Sequence, residues 1–196
     1  MLAKPKLKET IYFLACFAST AAILAWRRPD QFSYPYIWVE EGTVTLVDYI
    51  KHGWISMFYP VAGYLVLPAK LIFLTSASIS FNHLPRIEYW LTILFTAGVA
   101  FSIARTPTVL KLRPLCALTT LLLPINSEVF AVSEYAFWWG TILAFLVLLW
   151  DPKASKGKYT KYIFLTLGGL SSPMIIPISL MMVFRSWVFY RQKKKQ

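Results

Sequence analysis

The sequence predicts an all-α polytopic membrane protein of about six membrane-crossing helices, and three observations carry that expectation. Apolar residues make up 57% of the 196 and charged residues only 15%, whereas an ordinary soluble domain carries roughly 25% charge. The apolar residues gather into runs of the length and pattern of membrane helices. Lys and Arg, which bring the net charge to +11, stand in short clusters between those runs. That spacing fits orientation by the positive-inside rule and attraction to anionic membrane lipid, and it argues against a nucleic-acid groove. Cys16 and Cys116 both fall inside apolar runs, which argues against a disulfide framework and against a metal cluster.

The first run, residues 10–26, follows the basic start Met1 to Lys8 and ends in Trp26-Arg27-Arg28-Pro29 with no small-residue cleavage site. It reads as a retained signal anchor with its amino terminus in the cytoplasm. An exterior loop, 27–85, comes next. Its opening is rich in Pro, Tyr and Trp, the composition of the membrane interface. A juxtamembrane amphipathic helix is expected at about 42–53: Glu41, Thr45, Asp48 and His52 share one helical face, Leu46, Val47, Ile50 and Trp54 the other, and Gly53 is the stop. A second juxtamembrane helix is expected at about 61–79, interrupted by Pro68 and Lys70. Were it a span, Arg105, Lys111 and Arg113 would face outward, against the charge rule.

Further spans are expected at 86–104, 110–124, 133–150, 160–171 and 173–190, in a single transmembrane domain with both termini cytoplasmic. Gly168-Gly169-Leu170-Ser171-Ser172-Pro173 marks the bend between the last two. Broken backbone at membrane depth is tolerated where protein buries it or a cavity solvates it. Basic residues at 105–113, 153–158 and 191–195 fall on the cytoplasmic side of this topology.

The exterior face then collects Glu40, Glu41, Asp48, His52, Lys70, Glu128 and Glu134. Acids beside membrane spans are costly and point to function. Glu40 and Glu41 are the centre of the candidate site: one can take a proton from a hydroxyl while the other orients the acceptor or a divalent cation, with hard oxygen ligands favouring magnesium, manganese or calcium. Asp48 and His52 form either a solvated helix face or a cavity wall. Lys70 either snorkels to the interface or meets a phosphate. Arg86 and Glu88 would cap their helix and pair with one another. Trp138 and Trp139 read as belt or packing residues. A phosphate loop, Gly-x-Ser-x-Gly and His-Glu-x-x-His are all missing.

Glu40-Glu41-Gly42, Pro60-x-x-Gly63-Tyr64-Leu65, Asn126-Ser127-Glu128-Val129 and Leu170-Ser171-Ser172-Pro173, in this order of spans and loops, resemble the amino-terminal half of the GT-C class of membrane glycosyltransferases. The resemblance implies transfer of a sugar from a polyprenyl-phosphate donor to a cell-envelope acceptor, with inversion, at the exterior face of a bacterial inner membrane. It implies catalytic roles for Glu40 or Glu41 and for Glu128, and substrate contacts for Asp48, His52, Tyr64, Lys70 and Glu134. The class often has Asp in the first-loop pair and usually runs to several hundred residues, so the chain is expected to be a truncated form, a minimal enzyme that takes missing spans from a partner membrane protein, or a protein that kept the fold and lost the activity. The alternative is a non-catalytic membrane subunit, or a lipid-carrier translocator, of an envelope-polysaccharide assembly.

Overall fold

A computed structural model describes residues 7–124, 126–154 and 157–193. Lys4, Lys6, Lys156, Lys194 and Lys195 of the basic clusters, and Ile125 of the loop before Glu128, lie outside the described residues. Among the described residues all regular structure is helical, with two isolated β-bridges and no strand. The helices are α1 Leu7–Arg27, α2 Pro29–Ser33, α3 Leu46–His52, α4 Leu67–Ile79, α5 Leu84–Arg105, α6 Arg113–Leu122, α7 Ala136–Leu148, α8 Lys158–Gly169 and α9 Ile175–Lys193.

Helix α5 is the axis of the bundle, packing against α1, α4, α6 and α7. Its Tyr89, Ile93, Val99, Ala100 and Ile103 share a core with Leu24, Leu121, Phe130, Trp139 and Leu143. It runs antiparallel to α1: Phe13 meets Phe101 edge-on with ring centroids 5.5 Å apart, and Arg105 pairs with Glu9 one turn further along. The α7–α8 pair is closer still. A Cβ on Gly168 would stand 2.6 Å from the Gly140 carbonyl oxygen, so the two backbones touch where only hydrogen fits, the small-residue contact by which helices associate in lipid.

Helices α1 and α5 to α9 alternate in direction, which sorts the charges. Seven of the nine acids lie at the end that joins the α1 terminus to the α5 start; Glu9 and Asp151 are at the other. At that other end Arg113 donates to the Thr106 carbonyl, Arg185 donates to the Trp150 carbonyl, and Lys161 lies over the Trp150 ring at 4.9 Å.

Among the described residues two helical stretches are long and apolar enough to cross a membrane: α1, and α5 with its one-turn lead-in from Phe81. The expectation of six crossings is not met by helix length. Helix α6 has 10 residues, α7 has 13 and α8 has 12; at 1.5 Å per residue they reach about 15–20 Å of the ~30 Å hydrocarbon core. The expected span at 110–124 starts only at Arg113, because Leu112 is left-handed (φ 49°) and Pro114 occupies the first turn. The expected 133–150 span begins at Ala136.

The helix expected at 42–53 is present as α3 with a wider π turn, Glu41–Thr45, in front of it. Gly53, at φ 60°, ends it. The helix expected at 61–79 starts at Leu67 instead, after a tight turn in which Val61 N–H and Tyr64 N–H bond each other's carbonyls. Nor does α4 lie on a surface. Pro68, Ala69, Lys70, Ile72, Phe73 and Leu74 are all buried, and Phe73 and Leu74 carry α3 above them through Leu46 and Tyr49.

Candidate functional site

The acidic end is fastened by Arg28, the residue that closes α1. Its guanidinium is buried, donating to Asp30 at 2.7 and 2.9 Å, to the Tyr36 hydroxyl at 3.1 Å, and to the carbonyls of Ser127 and Phe130 at 3.1 and 3.3 Å. The bond from Arg28 holds the Asp30 carboxyl down to about 2. Bonding both the 30–36 loop and the 127–130 loop, Arg28 fixes the height at which the next residues, 131–135, meet the first loop.

At that height three segments converge. Glu41, opening the π turn, is 2% exposed. One of its oxygens accepts the Trp38 N–H at 3.1 Å and the other accepts from the Ser133 hydroxyl. The same hydroxyl is bonded to Oε1 of Glu88, which projects inward from the first turns of α5. One hydroxyl hydrogen cannot serve two carboxylates, so a further proton lies within the Glu41–Ser133–Glu88 group. Glu41 is its natural holder. Burial, then the charge of Glu88, raises its proton affinity well above the usual carboxylate range. A cavity of about 10 Å³ adjoins the group, lined also by Gln31, Tyr36, Pro85, Tyr89, Ala131 and Val132.

Glu134 follows directly. It lies before α7 and is nearly buried, and burial together with the charges of Glu41 and Glu40 pushes it up to about 7 against the opposing charge of Lys70. Tyr135, the next residue, meets Trp38 edge-on with centroids 5.8 Å apart.

Glu40 and Glu41 do not act as a pair. Successive helical residues point about 100° apart; Glu41 goes into the core and Glu40 stays exposed. Glu128 does not join Glu41 either. It is bonded to Asn126, lies near the Tyr135 hydroxyl at 3.5 Å, and lines a separate polar groove of about 360 Å³ with Arg27, Arg28, Asp30, Tyr36 and Trp38. Asn126 also stands at the mouth of an apolar groove of about 440 Å³, walled by Leu123, Val129, Trp138 and Met174.

Lys70 neither snorkels nor reaches into a groove. It is 1% exposed and donates to the carbonyls of Ser56, at 3.0 Å, and Tyr59, which ties the 53–59 segment to α4. Asp48, half-buried, supports its charge. His52 is exposed with its ring 5.0 Å from that of Tyr59, and Tyr64 meets Phe137 edge-on at 6.0 Å. The expected cation site on Glu40 and Glu41 is not formed, since their carboxyls diverge. Among the described residues no group of three or more His, Cys, Asp and Glu side chains could hold a metal ion.

Glu88 and Ser133 are the site residues that sequence reasoning missed. Glu88 does not pair with Arg86, because residues two apart on a helix face nearly opposite ways: Arg86 is exposed and Glu88 lies on the buried face with Leu84 and Thr92. That periodicity was a readable signal. Ser133 carries none, since its place depends on the Arg28 clamp. Comparison with family models, with curated proteins and with solved structures gives no match to this chain.

Proposed function

We propose that this chain is a multi-pass membrane protein of glycosyltransferase type, moving a sugar from a polyprenyl-phosphate donor to a cell-envelope acceptor on the exterior face of a bacterial inner membrane. The observation that carries this reading is that Glu41 and Glu88 meet over Ser133, with Glu134 and Glu40 within electrostatic reach of that group, and that Tyr36 is shared between the cavity there and a polar groove lined by Glu128; an apolar groove is lined by the neighbouring Asn126 and Val129. A lipid-linked sugar needs such a sequence of surroundings: apolar wall, polar groove, poised acid.

In this reading Glu134 is the general base, because burial and its acidic neighbours raise it to about 7, with Glu40 beside it. The acceptor oxygen attacks the anomeric carbon, its proton passes to the Glu134 carboxylate, and the polyprenyl phosphate leaves from the opposite side with the electrons of the broken C–O bond. Glu41, committed to the proton it holds with Ser133 and Glu88, sets the position of the first loop. Tyr36 and Trp38, with stacked rings 6.4 Å apart, offer a face to the sugar, and Glu128 lines the groove for it.

Six crossings, with both termini in the cytoplasm, belong to the same proposal. Helices α1 and α5 to α9 alternate in direction, and the basic residues gather at the end where the positive-inside rule puts the cytoplasm. The shorter helices complete their passage with irregular backbone buried against the bundle. Exposed apolar side chains of α9, such as Leu180, Val183 and Phe184, give a partner membrane protein or lipid a surface to cover.

The test compares envelope glycans in cells lacking the chain and in cells expressing wild type, Glu134→Gln or Glu40→Gln at equal membrane levels. Glu134→Gln is expected to lower transfer by about 100-fold or more, and Glu40→Gln by less. Undiminished transfer in Glu134→Gln would remove it as the base. Glycans that do not respond to the chain at all would favour the non-catalytic subunit.

A further inference from the structure

The Glu41–Ser133–Glu88 group holds two buried carboxyls and leaves two polar atoms beside it without partners. Glu88 Oε2 and the Tyr89 hydroxyl are both fully enclosed and unbonded, on residues each 4% exposed. Both residues line the same cavity of about 10 Å³, which is room for one water or one small ion. Buried polar atoms are almost always satisfied, and an ordered water or ion is one way in which such an atom finds its partner.

Charge decides between a neutral and a cationic occupant. With one proton held between two carboxyls, one negative charge remains inside. No Lys, Arg or His lines the cavity. The groups that face it from neighbouring elements add to the deficit or are already committed: Glu134 and Glu40 are acidic, Lys70 lies against Asp48 and Glu134, and the Arg28 charge behind Tyr36 is matched by Asp30. An uncompensated buried charge is among the costliest features a fold can carry.

We propose that this cavity is a binding site for a small monovalent cation, sodium in size, held by Glu88 Oε2, the Tyr89 hydroxyl and the Glu41–Ser133 oxygens. The ion neutralises the group and joins α5 to the first loop and to residues 131–133. Sodium is favoured over the larger potassium because it approaches the charged carboxylate oxygen more closely. The inference is independent of the transferase reading, since its readout is ion-dependent stability.

The experiment melts the full-length chain in detergent, in sodium, potassium or choline chloride at equal ionic strength and pH. Sodium is expected to raise Tm saturably by about 3 °C, the shift given by modest site occupancy in a chain of this size, with potassium and choline alike and lower. Glu88→Gln abolishes the sodium shift, and Tyr89→Phe, which leaves both carboxyls in place, reduces it. Equal melting in the three salts overturns the proposal, as does a full sodium shift in Glu88→Gln. Should Glu88→Gln fail to accumulate, an undiminished sodium shift in Tyr89→Phe overturns it instead.

Discussion

At the scale of single residues, the acidic end stores its charges in two opposite ways. Asp30 is ionised against Arg28 and held at about 2, so its stabilisation is present above the ordinary carboxylate value and is lost as pH falls from near 4 toward 2. Glu41 and Glu134 are raised, which reverses the sign: their contribution is complete at low pH and is lost as pH rises, for Glu134 as it climbs from about 4.5 through 7. Melting followed between pH 4.5 and 8 should therefore fall with rising pH, and Glu134→Gln should flatten that slope by up to about 3 kcal/mol across the window. A wild-type profile that rises toward pH 8 would contradict the assignment. The sequence made seven acids visible but not their company. Glu41 was legible as central, and Glu88 could have been found from its period-four neighbours Leu84 and Thr92. The parting of Glu40 from Glu41 follows from helical geometry, whereas the arrival of Ser133 requires the Arg28 clamp, a contact spanning about a hundred residues of chain.

At the scale of elements, the α3 segment shows how a local irregularity builds the site. Its first turn, Glu41–Thr45, is π-helical, a widening found mostly at functional positions, and it puts both Glu41 and Thr45 inside. Amphipathic spacing located this helix to within a residue or two. It misplaced the start of α4, because Ala62 and Val66 take positive φ that nothing in their side chains announces. The α7–α8 contact offers a test of packing. Gly168→Ala must push against Gly140 backbone, so it should lower stability by about 1–3 kcal/mol. In Gly98→Ala, on α5 with nothing within 4 Å of the new methyl, stability should hold or improve slightly. Equal melting temperatures for the two variants would show that α7 and α8 are less closely seated than described.

At the scale of the molecule, the all-helical class was legible from composition and from the spacing of apolar runs, and the alternating order of the elements came with it. Helix lengths were not. Hydropathy reports which residues avoid water, but it is blind to where Leu112 or Pro114 stops the hydrogen-bond ladder, so α6 is shorter than its apolar run. Topology can be measured directly in a background with Cys16 and Cys116 replaced by Ser. Asn82→Cys is expected to react with an impermeant maleimide on intact cells, and Lys153→Cys only after permeabilisation. Labelling of both from outside would rule out the six-crossing arrangement.

In the proposed six-crossing topology, the seven acids at one end and the excess of bases at the other make the molecule an electric dipole directed along the bilayer normal. In an energised cell, negative inside, the field does favourable work on that dipole, about 2.3 kcal/mol per elementary charge for each 100 mV traversed. In that topology the membrane potential would support orientation alongside lipid, and dissipating it during biosynthesis would remove one of the two supports.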